Sequence, residues 1–194
     1  MKLAIIKYNA GNIQSVAFAL DRLGVDYTVT ENIEEIDTAD KVIFPGVGEA
    51  STTMNFIREK KLDKVITNLR QPVLGICLGM QLMCQHSEEN DTPCLGIFDT
   101  IVKRFESSTS LKVPHIGWNS LSHIKGWLNP ALEEKYVYFV HSYYVPVNTH
   151  TVATSEYGIP FSAALKRDNF YAVQFHPEKS ADAGEIVIKS FLAL

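Results

Sequence analysis

Residues 72–81 read PVLGICLGMQ, a short apolar run followed by a cysteine set between two glycines. Gly75-Ile76-Cys77-Leu78-Gly79 has the glycine-x-nucleophile-x-glycine form of a strand-to-helix turn, with cysteine where serine is commoner. Such a turn strains the backbone at its centre, and neighbours without side chains let it close against a sheet. The spacing predicts a strand over 72–76 and a helix over 78–86, whose N-terminal N–H groups and dipole would favour a thiolate. Taken alone, the stretch equally fits a small buried cysteine at a tight turn.

The surrounding pattern supports an α/β chain. Leu3 to Ile6 is an apolar strand, and after the turn Tyr8 to Asn12 the residues Ile13, Val16, Ala17, Leu20 and Leu23 recur at helical spacing, closed by Gly24. Strands are expected over 26–30 and 41–44, with helical stretches over 50–69. This alternation implies a parallel sheet covered on both faces. From 101 to 175 the signals become strands separated by turns, over 101–105, 136–144, 150–157, 161–166 and 170–175, with Arg167-Asp168-Asn169 as a hairpin. These strands either join the main sheet in antiparallel fashion or stack beside it. Ala181 to Leu194 is expected to form an amphipathic terminal helix.

With 194 residues, 46% of them hydrophobic, the chain suits one compact domain spanning 1–194. A formal charge of -4, with Lys and Arg scattered singly, argues against nucleic acid as a partner. The apolar run near the N-terminus is too short for a secretory core or a membrane span, so a soluble cytoplasmic protein with no membrane association is expected. Cys77, Cys84 and Cys94, seven and ten residues apart, fit neither a disulfide framework nor a metal knuckle. Cys84 and Cys94 are read as inert.

A thiolate nucleophile needs a base and a group to orient it. His176 ends an apolar strand in Gln174-Phe175-His176-Pro177-Glu178, where α/β proteins gather their sites. Glu178 could turn back onto one imidazole nitrogen while the other faces Cys77. Acyl transfer also needs oxyanion donors. Phe44-Pro45-Gly46-Val47-Gly48 can offer backbone N–H groups, with the N–H of Leu78 as a second donor. Neither GxGxxG nor GxxxxGK[ST] is present, and an ordinary turn also fits this loop.

Gly75 to Gln81 together with His176-Pro177-Glu178 resembles the class I (triad) glutamine amidotransferases. Pro45 to Gly48, Pro114-His115-Ile116-Gly117-Trp118-Asn119, Phe139-Val140-His141-Ser142-Tyr143 and the early Gly11-Asn12 narrow the resemblance to the glutaminase subunits of imidazole glycerol phosphate synthase, in histidine biosynthesis. The resemblance implies a three-layer flavodoxin-like α/β fold, a mostly parallel central sheet with added antiparallel strands in the C-terminal half. It implies a heterodimer with a (β/α)8-barrel cyclase subunit that receives ammonia released from L-glutamine, without metal or organic cofactor.

Carried over residue by residue, the resemblance makes Cys77 the nucleophile, His176 the acid and base, and Glu178 its orienting group. Val47 and Leu78 would form the oxyanion hole, with a loop that in such enzymes can reorient when the cyclase binds its ligand. Gly48, Gln81, Ser142 and Tyr143 would contact glutamine, and Asn12, Trp118, Tyr138 and Lys179 would face the cyclase. Trp118 also fits a core aromatic, Lys179 a solvated charge and Gln81 a solvated helix position, while His141 reads as structural. The chain departs from the family pattern at Lys7 to Asn12 and at Glu49-Ala50, neither within the triad. A glutaminase serving another synthetase, a non-catalytic module on the same fold, and a cysteine peptidase are the alternatives.

Overall fold

A computed structural model of the protein describes residues 1–8, 12–109 and 111–194. The centre of the expected first turn, including Gly11, lies outside the described residues. The first half alternates as expected: β1 (Leu3–Ile6), α1 (Ile13–Arg22), β2 (Thr28–Thr30), α2 (Ile33–Asp37), β3 (Lys41–Phe44), α3 (Ala50–Glu59), α4 (Leu62–Asn68), β4 (Val73–Ile76) and α5 (Leu78–Leu82). Then follow β5 (Cys84–Ser87), β6 (Thr92–Pro93), β7 (Phe98–Arg104), β8 (His115–Ser120), β9 (Tyr136–His141), β10 (Tyr143–Tyr144), β11 (Thr151–Tyr157), β12 (Ile159–Arg167), β13 (Phe170–Val173) and α6 (Ala181–Leu192).

A seven-stranded sheet in the order β11-β12-β13-β4-β3-β1-β2 organises the molecule. Its neighbours from β13 to β2 pair in parallel, while β12 runs antiparallel to both β13 and β11. A four-stranded sheet, β10-β7-β5-β6, and a ribbon of β8 and β9 complete it. Both arrangements left open for the C-terminal half are therefore present. Parallel strands bury both faces, which explains the continuous apolar runs: Leu3 and Ile5 pack into one core with Val16, Leu20 and Phe191, and Ala4 and Ile6 into the other with Met54, Ile57 and Leu78.

Several expected boundaries move. The helix expected over 78–86 stops at Leu82, because the chain turns out to pair β5 with β7 and β6. Tertiary pairing overrides local propensity there. The stretch 50–69 divides at Lys61, which takes a left-handed φ of 58° and starts a second helix. The strand expected over 136–144 splits at Ser142, β9 pairing with β8 and β10 with β7. Helix α2, not anticipated, is a single turn that buries Ile36 and is capped by the Asn32 side chain, which accepts from Glu34 and Glu35 N–H. The expected hairpin at Asp168-Asn169 joins β12 to β13, with Arg167 paired to Phe170.

Candidate active site

β3, β4 and β13 lie side by side and parallel, so the segments leaving their carboxyl ends are neighbours in space although distant in sequence. These segments are Pro45–Gly48, Cys77–Gly79 and Gln174–Glu178. Cys77 sits at φ 53° and ψ −108°, a conformation that costs an L residue strain. Its N–H donates to the Val173 carbonyl at 2.8 Å, tying the turn to β13. A Cβ on Gly79 would lie 2.0 Å from the Phe44 carbonyl oxygen, and one on Gly75 would lie 2.9 Å from the Met83 sulfur. The flanking glycines are thus required by how closely β3 and α5 approach the turn.

His176 follows β13 and precedes a tight turn over Pro177–Lys179. Its Nδ1 is 2.7 Å from Glu178 Oε1, and both side chains are buried. Because the carboxylate accepts, Nδ1 carries the proton and Nε2 is left for the sulfur side. Nε2 makes no hydrogen bond in this state. Burial works against the imidazolium, but the Cys77 sulfur and then the Glu178 carboxylate favour it more strongly, so the pKa of His176 is pushed up to about 10.

Backbone contacts hold this turn. The Ser180 hydroxyl donates to the His176 carbonyl at 2.6 Å and accepts from Tyr138 N–H at 2.9 Å, while His176 N–H donates to the Tyr138 carbonyl at 2.9 Å. Asn12, expected at a partner surface, donates its amide to Glu178 Oε1. It braces the carboxylate from the start of α1.

A cavity of about 300 Å³ opens onto Cys77. It is walled by Val47, Gly48 and Leu78, and Gln81, Ser142 and Tyr143 also line it. The expected glutamine contacts are therefore collected in one place. Gln81 is not a solvated helix position: it is buried, and its Nε2 donates to the Tyr143 carbonyl and to Gln174 Oε1, each at 2.9 Å.

Glu89 lines the same cavity and was not anticipated. Its Oε2 accepts from Ala50 N–H at 2.8 Å. Burial raises its pKa, the Ala50 N–H offsets part of that rise, and Glu49 adds to it. In sequence Glu89 is one acid in the polar stretch Ser87 to Asp91, which carries no signal of a pocket.

Both residues expected to supply oxyanion donors, Val47 and Leu78, line the cavity. The N–H of Leu78 is occupied, donating to the Gly46 carbonyl at 3.2 Å. The Tyr8 hydroxyl donates to the Pro45 carbonyl one residue earlier, and Gly48 holds a φ of 123° that favours glycine.

Away from the cavity, Trp118 and Tyr138 face each other across the β8–β9 ribbon, ring centroids 6.0 Å apart. Trp118 is 52% exposed, beside Ile116 at 60% and Tyr136 at 62%, so it is not a core aromatic. Lys179, the last residue of the turn after His176, is exposed. His141 is buried, donates from Nδ1 to the Tyr143 carbonyl at 2.7 Å and takes His115 Nδ1 on its Nε2 at 3.1 Å. Burial pushes its pKa down to about 3, so it is a neutral strut. Burial likewise pushes the Cys94 thiol up to about 12 and the Cys84 thiol well above its ordinary value. Among the described residues no group of three or more His, Cys, Asp or Glu side chains could hold a metal ion.

The glutamine amidotransferase class-I family matches residues 4–193. The chain is 61% identical over 196 residues to the imidazole glycerol phosphate synthase subunit HisH of Bacteroides fragilis (strain YCH46), covering all of both chains. It is 44% identical to the subunit of the same name in Haemophilus influenzae (strain ATCC 51907), covering 99% of this chain and 97% of that one. A crystal structure of a glutamine amidotransferase superposes with a TM-score of 0.75 at 18% identity, covering 98% of this chain and 97% of that chain, a likeness of fold.

Proposed function

The chain belongs to the class I glutamine amidotransferases, and from that membership we propose that it is the glutaminase subunit of an imidazole glycerol phosphate synthase in histidine biosynthesis. The observation that carries the chemistry is the buried His176–Glu178 pair set behind Cys77 at the end of a 300 Å³ cavity. Residues 1–194 act as one amidotransferase domain.

In this proposal the Cys77 thiolate attacks the carbonyl carbon of the glutamine side-chain amide. His176 gives its Nε2 proton to the departing ammonia, leaving a thioester on the sulfur. The neutral imidazole then takes a proton from water, the hydroxide attacks the thioester, and glutamate leaves as the thiolate is restored. Glu178 keeps Nδ1 protonated throughout. Glu89 supplies a carboxylate for the α-ammonium of glutamine, whose charge would draw its raised pKa back down, while Gly48, Gln81, Ser142 and Tyr143 shape the rest of the pocket.

The oxyanion hole requires one backbone movement. Rotation of the peptide between Gly46 and Val47 withdraws the Gly46 carbonyl from Leu78 N–H and turns the Val47 N–H toward the cavity, so one step frees one donor and adds the other. Docking of a (β/α)8-barrel cyclase subunit drives it. The docking face is the β8–β9 ribbon with Trp118 and Tyr138, together with Asn12 and Lys179 beside the triad. Ammonia passes directly to that subunit. No described helix is long and apolar enough to cross a membrane, and we assign the protein to the cytoplasm.

The test is glutamate release from glutamine by the purified chain, alone and with the cyclase subunit plus its nucleotide ligand, with Cys77→Ala as control. Low activity alone, a strong rise in the complex and none with Cys77→Ala support the assignment. A wild-type chain that stays silent with an active cyclase redirects the search to another ammonia-using synthetase.

A further inference from the structure

Gln174 lies two residues before His176 and is fully buried, a costly place for an amide unless its groups are paired. Both ends are. Its Oε1 accepts from Gln81 Nε2 at 2.9 Å, and its Nε2 donates to Cys77 Sγ at 3.7 Å. The orientation is not arbitrary. Gln81 must present Nε2 to the Tyr143 carbonyl, which only accepts. That same nitrogen faces Gln174, which must answer with its oxygen and so turn its own N–H groups toward the sulfur. A carbonyl on β10 thus sets the direction of a donor chain that ends on the nucleophile.

Besides His176, the Val140 carbonyl also faces the sulfur, at 3.9 Å. A thiol can donate there, whereas a thiolate gains nothing from it. The Gln174 N–H prefers the thiolate, since a hydrogen bond to a charged acceptor is about twice as strong as one to a neutral acceptor. It also pins the side chain of Cys77 where the cavity and His176 converge.

Resting on the proposal that Cys77 is the nucleophile, we infer that Gln174 is a positioning residue for it. Its amide N–H, oriented through Gln81 by the Tyr143 carbonyl, holds the sulfur in its reactive rotamer and favours the thiolate. The residue touches no reacting atom except the sulfur it holds.

The experiment measures alkylation of Cys77 by iodoacetamide against pH, read by mass spectrometry of the Cys77 peptide, in wild type, Gln174→Met and Gln81→Met. Methionine keeps the length and bulk of glutamine but cannot donate. The titratable groups around the sulfur, His176 from the turn after β13, Tyr8 after β1, His141 on β9 and Glu89 across the cavity, are the same in all three proteins. Alkylation needs no glutamine, so loss of a substrate contact at Gln81 does not enter the readout.

For Gln174→Met the alkylation midpoint should rise by about one pH unit, a tenfold shift in the thiol equilibrium, with an unchanged thermal unfolding profile. Gln81→Met, which frees the Gln174 amide to turn over, should shift it the same way by less. A Gln174→Met curve that overlies wild type overturns the inference; if that variant does not fold, the Gln81→Met curve decides in the same way. Failure of the underlying proposal looks different, because Cys77→Ala would then retain glutamine turnover whatever the alkylation curves show.

Discussion

The backbone N–H of Leu78, which the proposed mechanism uses as an oxyanion donor, donates to the Gly46 carbonyl at 3.2 Å and is thus already occupied by the segment that leaves β3. An amide hydrolase in this state lacks part of its transition-state stabilisation. One oxyanion donor is worth on the order of 100- to 1,000-fold in kcat. The chain alone should therefore hydrolyse glutamine at least about 100-fold more slowly than its complex with the cyclase subunit. Equal kcat values in the two preparations would show that the Gly46 carbonyl does not gate the site.

The raised pKa of His176 ties stability to pH. Burial opposes its charge, yet Cys77 and Glu178 hold the folded-state value at about 10, above the ordinary 6.5. Stability from the charged imidazole is present in full below about 6.5 and is lost as pH rises through 10. The thermal midpoint of the wild type should fall between pH 7 and pH 10, and Cys77→Ala, lacking the stronger of the two favourable partners, should fall less. Parallel curves would mean that the sulfur does not carry this effect.

Glu49 stands where the family pattern differs, and it caps α3. Its carboxylate accepts from Ser51 N–H at 2.7 Å and from Thr52 N–H at 2.9 Å. Burial works against ionisation, but the bonds from Thr52 and Ser51 outweigh it and bring the pKa down to about 2. Glu49→Ala should cost about 1 kcal/mol at neutral pH, as losing a helix cap does. A group with a lowered pKa contributes above its unfolded value and loses that contribution as pH falls, so the gap to wild type should close between about 4.5 and 2. Denaturant titrations at pH 7 and pH 3 would measure it; an equal gap at both sinks the capping explanation.

Gly184 lets α6 press on the turn that follows His176. A Cβ there would lie 1.8 Å from the Pro177 carbonyl oxygen, a backbone atom that can yield only by moving the turn. Gly184→Ala should lose about 1–3 kcal/mol of stability and lower kcat by about 10- to 100-fold through displacement of His176. Loss of stability with kcat intact would show that the turn absorbs the strain without moving the imidazole.

Trp118 projects from the β8–β9 ribbon with no core to join. Trp118→Ala should leave the unfolding free energy of the isolated chain within about 0.5 kcal/mol of wild type and weaken cyclase binding about tenfold or more. Titration calorimetry with the cyclase reads the second quantity. An unchanged Kd would move the docking face elsewhere.

The glycine-flanked cysteine, the His-Pro-Glu segment and the Pro45 to Gly48 loop were legible in the sequence because steric demand and reaction chemistry restrict which residue types can stand there. So was the alternation of strand and helix, which follows from the periodicity of apolar residues along each element. Glu89, the bracing contact of Asn12 on Glu178, the Gln81–Gln174 link and the capture of Leu78 N–H by Gly46 were not. Each joins segments distant in the chain or depends on the local direction of a carbonyl, and neither leaves a mark on residue spacing. The sequence by itself determined the glycine-flanked cysteine turn, the His-Pro-Glu segment and the layered fold; only the tertiary structure decided which donors face the sulfur and which are already spent, because hydrogen-bond direction is set by the strand order and crossings that bring those groups together.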